Sequence, residues 1–324
     1  MAFQKVLVTG GAGFIGSNFV HYFLREHPQS ELVNLDKLTY AGNKANLAGL
    51  EGNKNYSFVQ ADICDAAAVG KAMEGCDAIV NFAAESHVDR SIKDASTFLR
   101  TNVEGVRVLL EAAGSAGVKR FMQISTDEVY GSIAEGSFKE TDALSPRNPY
   151  SASKAAADLL VNSYAETYGL GTVITRSSNN FGPYQFPEKV IPLFVTNLLR
   201  GKKVPLYGDG MNVREWIYVE DNCRGIETVF AKGKKGETYN VGSGDEKTNI
   251  DLTKAILAEL GKGDDMIERV QDRLGHDRRY SLDCTKLRAL GWEPTGNFGE
   301  NLKRTVSWYK GNEKWWEPLL EGMK

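Results

Sequence analysis

Short apolar runs separated by amphipathic stretches repeat along the first half of the chain, and this alternation predicts strands joined by helices. Residues 5–9, 31–36, 56–63, 77–84, 120–124 and 171–176 read as strands. The run at 77–84 is apolar almost throughout, as expected of a strand covered on both faces. Helices are expected over 17–26, about 94–116, and 150–168. Such β-α alternation gives a doubly wound parallel sheet, which keeps its ligands at the carboxyl ends of its strands.

The pattern changes at residue 177. Residues 177–189 are rich in Asn, Pro and aromatics, which suits a shaped loop over a ligand. A helix at 191–200 follows, then a turn at Gly208 leading into a strand that ends near Val219, and Asp221 is placed to cap the next helix. Beyond Gly242 the alternation gives way to helices at 249–260, 285–290 and 299–309. This predicts two interleaved domains: 1–178 with about 214–242, and a smaller, mixed one from 179–213 and 243–324. Trp308, Trp315 and Trp316 suit either a core or a contact surface.

Composition narrows the partners. The 324 residues carry 39 basic and 42 acidic side chains, interspersed, for a net charge of −3, so neither nucleic acid nor an anionic membrane is indicated. The local exception is the basic stretch at 273–279. Cys64, Cys76, Cys223 and Cys284 lack metal-ligand spacing and read as reduced thiols, which predicts no metal and suits the cytoplasm. No basic-then-apolar leader precedes the first strand, and no apolar run reaches about 18 residues.

The chemistry gathers at strand ends. After the first strand, Gly10, Gly13 and Gly16 allow a tight turn, close approach of backbone amides to a pyrophosphate, and packing of the helix on the strand. Asp36 closes the second strand 20 residues beyond Gly16, the spacing of a group that binds ribose hydroxyls. An acid there repels a 2′-phosphate and favours NAD over NADP, although Lys37 beside it blunts the inference. Asp62 and Ile63 are placed to hydrogen-bond and pack against an adenine. His87 has no nameable partner and reads as structural or as a substrate-edge residue.

The strand at 120–124 runs into Ser125-Thr126-Asp127-Glu128, delivering a hydroxyl and two carboxylates. Tyr150 and Lys154 stand one helical turn apart on one face. A phenol titrates near ~10, and a neighbouring ammonium or a positive nicotinamide ring favours its ionised form. Tyr150 with Lys154 is thus a base for removing a hydroxyl proton while hydride leaves the same carbon. Successive strand residues point to opposite faces, so Asp127 and Glu128 can share a substrate only if the backbone turns between them.

Gly10–Gly16, Ala84-Glu-Ser-His-Val-Asp-Arg-Ser91, Ser125-Thr-Asp-Glu-Val-Tyr-Gly131, Tyr150-Ser-Ala-Ser-Lys154, Asn179-Asn180 and Arg214-Glu-Trp-Ile-Tyr-Val-Glu-Asp221 closely resemble the dTDP-glucose 4,6-dehydratases, extended short-chain dehydrogenase/reductases with a Rossmann-type fold. The likeness runs from Lys5 to about Trp308. It implies a tightly bound NAD+ that is reduced and reoxidised in each turnover. Tyr150, assisted by Lys154, would take the proton from the hydroxyl on carbon 4, with Thr126 on that oxygen. Glu128 would then remove the proton on carbon 5 while Asp127 protonates the departing hydroxyl on carbon 6, and hydride would return to carbon 6.

By the same likeness Gly10, Gly13, Phe14, Ile15, Gly16, Asp36, Lys37, Thr39, Asp62, Ile63, Ala83, Ala84, Thr101, Tyr150, Lys154 and Asn180 would hold NAD. Ser86, Thr126, Asn179, Lys189, Val190, Pro205, Tyr207, Arg214, Asn249, Asp272, Arg273 and His276 would hold dTDP-glucose. Arg214 and Arg273 suit a diphosphate, which a planar fork of donors can grip. The resemblance also implies a homodimer through the helices near 94–116 and 150–168. Leu274 replaces a proline usual in the family, and Phe181 and Gln185 replace a frequent Tyr and His, which bears on nucleotide preference. The alternatives are a nucleotide-sugar epimerase, which has no use for the acid–base pair, and a UDP-sugar 4,6-dehydratase.

Overall fold

The computed structural model describes residues 3–272 and 277–321. Its main feature is a seven-stranded parallel sheet with strands β1 (Lys5–Thr9), β2 (Glu31–Asp36), β3 (Tyr56–Gln60), β4 (Ala78–Asn81), β5 (Arg120–Thr126) and β6 (Thr172–Ser177), completed by Glu237–Val241. The last of these was not expected from the sequence. The order is Glu237–Val241, β6, β5, β4, β1, β2, β3, so the chain reverses direction across the sheet between β1 and β4.

Alternate strand residues feed two cores. Val6, Val8, Val80 and Met122 pack on one face under helices α1 (Phe14–Glu26) and Val219–Lys232, through Phe19, Phe23, Ile226 and Phe230. Leu7, Leu35, Ile79 and Phe121 pack on the other under α2 (Ala66–Ala72), the helical stretch before Ala116, and Pro149–Tyr168. Each buried aliphatic side chain is worth about 1.5–3 kcal/mol against exposure, so a slip of one residue in register would exchange both faces at once.

Several expectations are corrected. The helix expected over 94–116 is three pieces: Ala95–Leu99, a π-helical turn Arg100–Glu104, and Gly105–Ala116, preceded by a short helix Val88–Lys93. Asp221 does not cap the helix beginning at Val219; Tyr218 does, without a side-chain bond. Asp221 lies in the first turn and instead accepts from the amide and hydroxyl of Thr295 (2.9 and 2.6 Å). The loop expected over 177–189 contains the strand Asn179–Phe181.

A second assembly lies beside the sheet. Val213–Tyr218, grouped with the dinucleotide side on sequence, pairs instead with Asn179–Phe181 and Glu246–Thr248. Val204–Tyr207 pairs with Ile267–Val270. Around them Phe181, Trp216, Phe298, Tyr309 and Trp316 form a third core. Trp316 is buried there, and Trp308 and Trp315 are half-buried against it. The Trp315 indole donates to Asn46 Oδ1 (2.8 Å), and Asn46 Nδ2 donates to the Ala12 carbonyl (2.9 Å) beside the glycine turn. Among the described residues no helix is long and apolar enough to cross a membrane.

Candidate active site

A single cavity follows the carboxyl ends of β2, β1, β4 and β5, and every residue expected to hold the dinucleotide lines it. Gly10 has φ +70, and a Cβ there would lie 2.5 Å from the Ala83 amide nitrogen. A Cβ on Gly16 would lie 2.2 Å from the Gly10 carbonyl oxygen. Only glycine lets α1 begin this close to β1. Gly13 caps α1 without a side-chain bond, so the amides of Phe14, Ile15 and Gly16 have no intrahelical acceptor and suit an anion.

Asp36 fits the ribose position. Its carboxylate accepts from the amides of Ala12 (2.9 Å) and Leu38 (2.7 Å), which fixes it while leaving lone pairs for hydroxyls. Lys37, which blunted the choice of cofactor on sequence, is engaged by Asp62 at 2.8 Å. Asn102, buried in the π-helical turn beside Thr101, bonds both backbone groups of Glu85 (2.9 and 3.0 Å) and Ser153 Oγ (2.8 Å), tying the β4 exit to the helix at Pro149–Tyr168. At the other end, Asn180 Oδ1 and Ser178 Oγ are buried without partners among the described residues. Amides for an anion, a fixed acid and unpartnered polar atoms together fit a dinucleotide.

The five candidate catalytic side chains share this cavity. β5 ends at Thr126 and the backbone turns immediately into the 3-10 helix Asp127–Tyr130. This removes the geometric obstacle posed by strand alternation. Thr126 Oγ1 accepts from the Glu128 amide (3.3 Å), capping the turn, and donates to Asp127 Oδ1 (3.2 Å). Asn148, which caps the helix Pro149–Tyr168, donates to Glu128 Oε2 (3.4 Å).

The environments of the two carboxyls differ. Burial, then the charges of Glu128 and Glu215, push Asp127 well above the usual carboxylate range, which favours its protonated form. Burial also raises Glu128, but Lys189, Asn148 and Arg214 oppose it. Asp127 is therefore the group held as acid and Glu128 the one more readily ionised.

Burial and the charges of Glu128 and Asp127 push the Tyr150 phenol above its ordinary value, opposed by Thr126. Lys154 Nζ donates to the Ile124 carbonyl (2.6 Å), and burial lowers it to about 8, opposed by Asp158.

The residues expected to hold the sugar nucleotide divide. Ser86, Thr126, Asn179 and Lys189 line the cavity. Val190, Pro205, Tyr207, Arg214, Asn249 and Asp272 do not, lying on the second assembly; Arg273, Leu274 and His276 fall outside the described residues. Arg214 donates to the carbonyls of Val213 (2.8 Å) and Asp277 (2.9 Å), with its guanidinium 4.4 Å from the Tyr280 ring centre. Gln185 is buried and donates to the Asn180 carbonyl (2.9 Å).

Sequence reasoning missed Glu188, which lines the cavity. It accepts from the Tyr40 hydroxyl (3.1 Å) and faces Arg90 (3.5 Å) and the His87 ring (3.7 Å). Burial and Lys189 hold His87 below its ordinary value. The available signal was Glu188 preceding Lys189, of which only the lysine drew notice. Among the described residues no group of three or more His, Cys, Asp or Glu could hold a metal.

The chain is similar to known proteins over nearly its whole length. Residues 7–305 match the family described as GDP-mannose 4,6 dehydratase. The chain is 56% identical over 311 residues to the low-salt glycan biosynthesis protein Agl12 of Haloferax volcanii, covering 96% of this chain and 100% of that protein. It is 52% identical to a dTDP-glucose 4,6-dehydratase of Streptomyces niveus, covering 98% and 96%. The crystal structure of DesIV, a dTDP-glucose 4,6-dehydratase from Streptomyces venezuelae with NAD and TYD bound, superposes with a TM-score of 0.96 at 54% identity, covering 98% and 100%.

Proposed function

The chain belongs to the GDP-mannose 4,6 dehydratase family, and from that premise we propose the route by which its residues convert dTDP-glucose to dTDP-4-keto-6-deoxy-glucose. The observation that carries the reading is that Asp127 and Glu128 share one cavity with Thr126, Tyr150 and Lys154. An epimerase needs only the last three.

NAD, when bound, supplies a positive ring beside the phenol and a hydride acceptor that returns the hydride later. Thr126 and Tyr150 hold the carbon-4 oxygen, and Tyr150 takes its proton as the carbon-4 hydride leaves. The resulting ketone acidifies the proton on carbon 5. Glu128 removes that proton as Asp127 donates its own to the carbon-6 hydroxyl, which departs as water and leaves a carbon 5–carbon 6 double bond. Hydride then adds at carbon 6 and Glu128 returns a proton to carbon 5. The proton held by Tyr150 passes through solvent and replaces the one Asp127 lost.

The electrostatics support this division, because opposite protonation states are what elimination requires. Ser86, Asn179 and Lys189 hold the sugar and its first phosphate, Arg214 on the second assembly grips the diphosphate, and its neighbours there hold the nucleoside. NAD is favoured over NADP by Asp36 and by the engagement of Lys37 with Asp62. Leu99, Leu159 and Tyr168 are large exposed hydrophobics on the helices expected to pair, and Ile92 is another on the short helix just before them, which supports a homodimer. The four cysteines are free, in keeping with a cytoplasmic setting.

The test is the mass of the product when the purified protein receives dTDP-glucose without added NAD, with UDP-glucose run in parallel. Loss of one water, faster from dTDP-glucose, is expected. An unchanged mass with sugar isomerisation would move the assignment to an epimerase.

A further inference from the structure

The reaction uses two sets of groups on two elements: Tyr150 and Lys154 on the helix Pro149–Tyr168, and Asp127 and Glu128 on the 3-10 turn Asp127–Tyr130. Oxidation and elimination act on adjacent carbons of one bound sugar, so the two elements must keep a fixed offset. The two elements meet directly where Ala155 packs with Val129 and Tyr130 and where Asn148 reaches Glu128, and one buried charged side chain also bonds to both. Arg176, on β6, donates from Nε to Asp158 Oδ2 (2.9 Å) and from Nη1 to the Tyr130 hydroxyl (2.9 Å). Asp158 lies one helical turn beyond Lys154, and Tyr130 closes the turn that bears the carboxyls.

We propose that Arg176, acting through Asp158 and Tyr130, is a positioning residue that holds the redox pair and the acid–base pair in mutual register. The sheet register sets it between them, opposite Ser125 of β5 on one side and Asn240 on the other. The Tyr130 hydroxyl passes the contact on by donating to Asn240 Oδ1 (2.8 Å), and Asn240 Nδ2 is anchored on the Phe138 carbonyl (2.9 Å). Phe138 stacks on Tyr130 with ring centres 4.9 Å apart. Asp158 and Asn240 are completely buried, and Arg176 and Tyr130 nearly so, and none of the four lines the cavity.

Stability alone does not account for this arrangement. Replacing a buried ion pair with apolar residues of similar volume is often neutral or stabilising, whereas apolar replacements could not grip a helix and a turn at once. Displacing a reacting group by about 1 Å costs on the order of a hundredfold in rate.

The proposal rests on the dehydratase reading and predicts that the two half-reactions come apart. Oxidation is followed in a single turnover by the absorbance of reduced nicotinamide. The elimination groups are followed separately by deuterium uptake at carbon 5 of the 4-keto-6-deoxy product in heavy water, where Glu128 breaks and re-forms the C–H bond without hydride transfer. Tyr130→Phe, which keeps the ring but frees the turn from Arg176, should slow exchange by about tenfold or more and leave oxidation within about twofold. Asp158→Asn should show the reverse.

Arg176→Lys keeps the buried charge without the fork, should be slow in both assays, and carries the test if Asp158→Asn does not fold. Parallel loss in the Tyr130 and Asp158 variants, or either assay at the wild-type rate in Arg176→Lys, would overturn the proposal. Wild-type protein that lost no water would instead sink the dehydratase reading itself.

Discussion

At the dinucleotide end the anion and ribose anchors are set by backbone: a glycine turn that admits no Cβ, an uncapped helix start, and a carboxylate fixed by two amides. At the end proposed for the sugar nucleotide the candidate groups are side chains, carried on two small sheets and the helices packed on them, with Arg214 spanning two carbonyls and an aromatic ring. Backbone surfaces are rigid and suit a ligand that stays through turnover. Side chains can change rotamer while the sheets that carry them stay in place, which suits a ligand that must enter and leave.

The strongest test of this contrast concerns the carboxyl pair lying between the two ends. Asp127→Asn with Glu128→Gln should lower water loss by about 10³-fold or more, since each acid or base contributes roughly 10²–10⁴. Reduced nicotinamide should still form on mixing with dTDP-glucose. Loss of that first step too would mean that the pair serves oxidation as well, and the functional boundary between the ends would disappear.

Gly16→Ala probes the backbone end. Its Cβ would have to share space with the Gly10 carbonyl, and overpacking of this kind costs about 1–3 kcal/mol. The protein should purify with little nicotinamide and melt at a lower temperature. Retention of a full complement of cofactor would show that the turn can relax.

Arg214→Ala probes the side-chain end. Losing a charged donor to a diphosphate is worth about 1.5–3 kcal/mol, so KM for dTDP-glucose should rise by roughly tenfold or more with cofactor content unchanged. A fall in bound cofactor would contradict the independence of the two ends.

The smallest expected effect is a shift in pH dependence. Glu128 must be ionised to act as base, burial raises it, and Lys189 opposes that rise. Lys189→Met should raise it further, so that kcat is lost at a higher pH as the solution is acidified. An acid limb that stays put or moves down would remove Lys189 from this role.

The dinucleotide end was legible in the sequence because its determinants are local: glycines three apart, and a carboxylate closing the following strand. The acid–base pair was legible as chemistry but not as geometry, since strand alternation argued against it until Thr126 was seen to cap a turn. Residues defined by distant partners stayed hidden. Asp221 looks like a cap, yet it serves Thr295, 74 positions away. The strands Val204–Tyr207 and Ile267–Val270 are short and carry no hairpin signal, because they pair in parallel across three other strands and two intervening α-helices. The π-helical turn leaves no mark in a hydrophobic pattern. Arg176 reads only as the polar end of a strand until Asp158 and Tyr130 are placed around it.

The bond between Trp315 and Asn46 has a consequence in time. The two residues are 269 positions apart, and a ribosome adding about 5–20 residues per second needs on the order of fifteen to fifty seconds to cover that distance. For that interval the newly made glycine turn waits beside an Asn46 whose outer oxygen has only water to bind. The first part of the site to be translated thus receives its last support from one of the last helices.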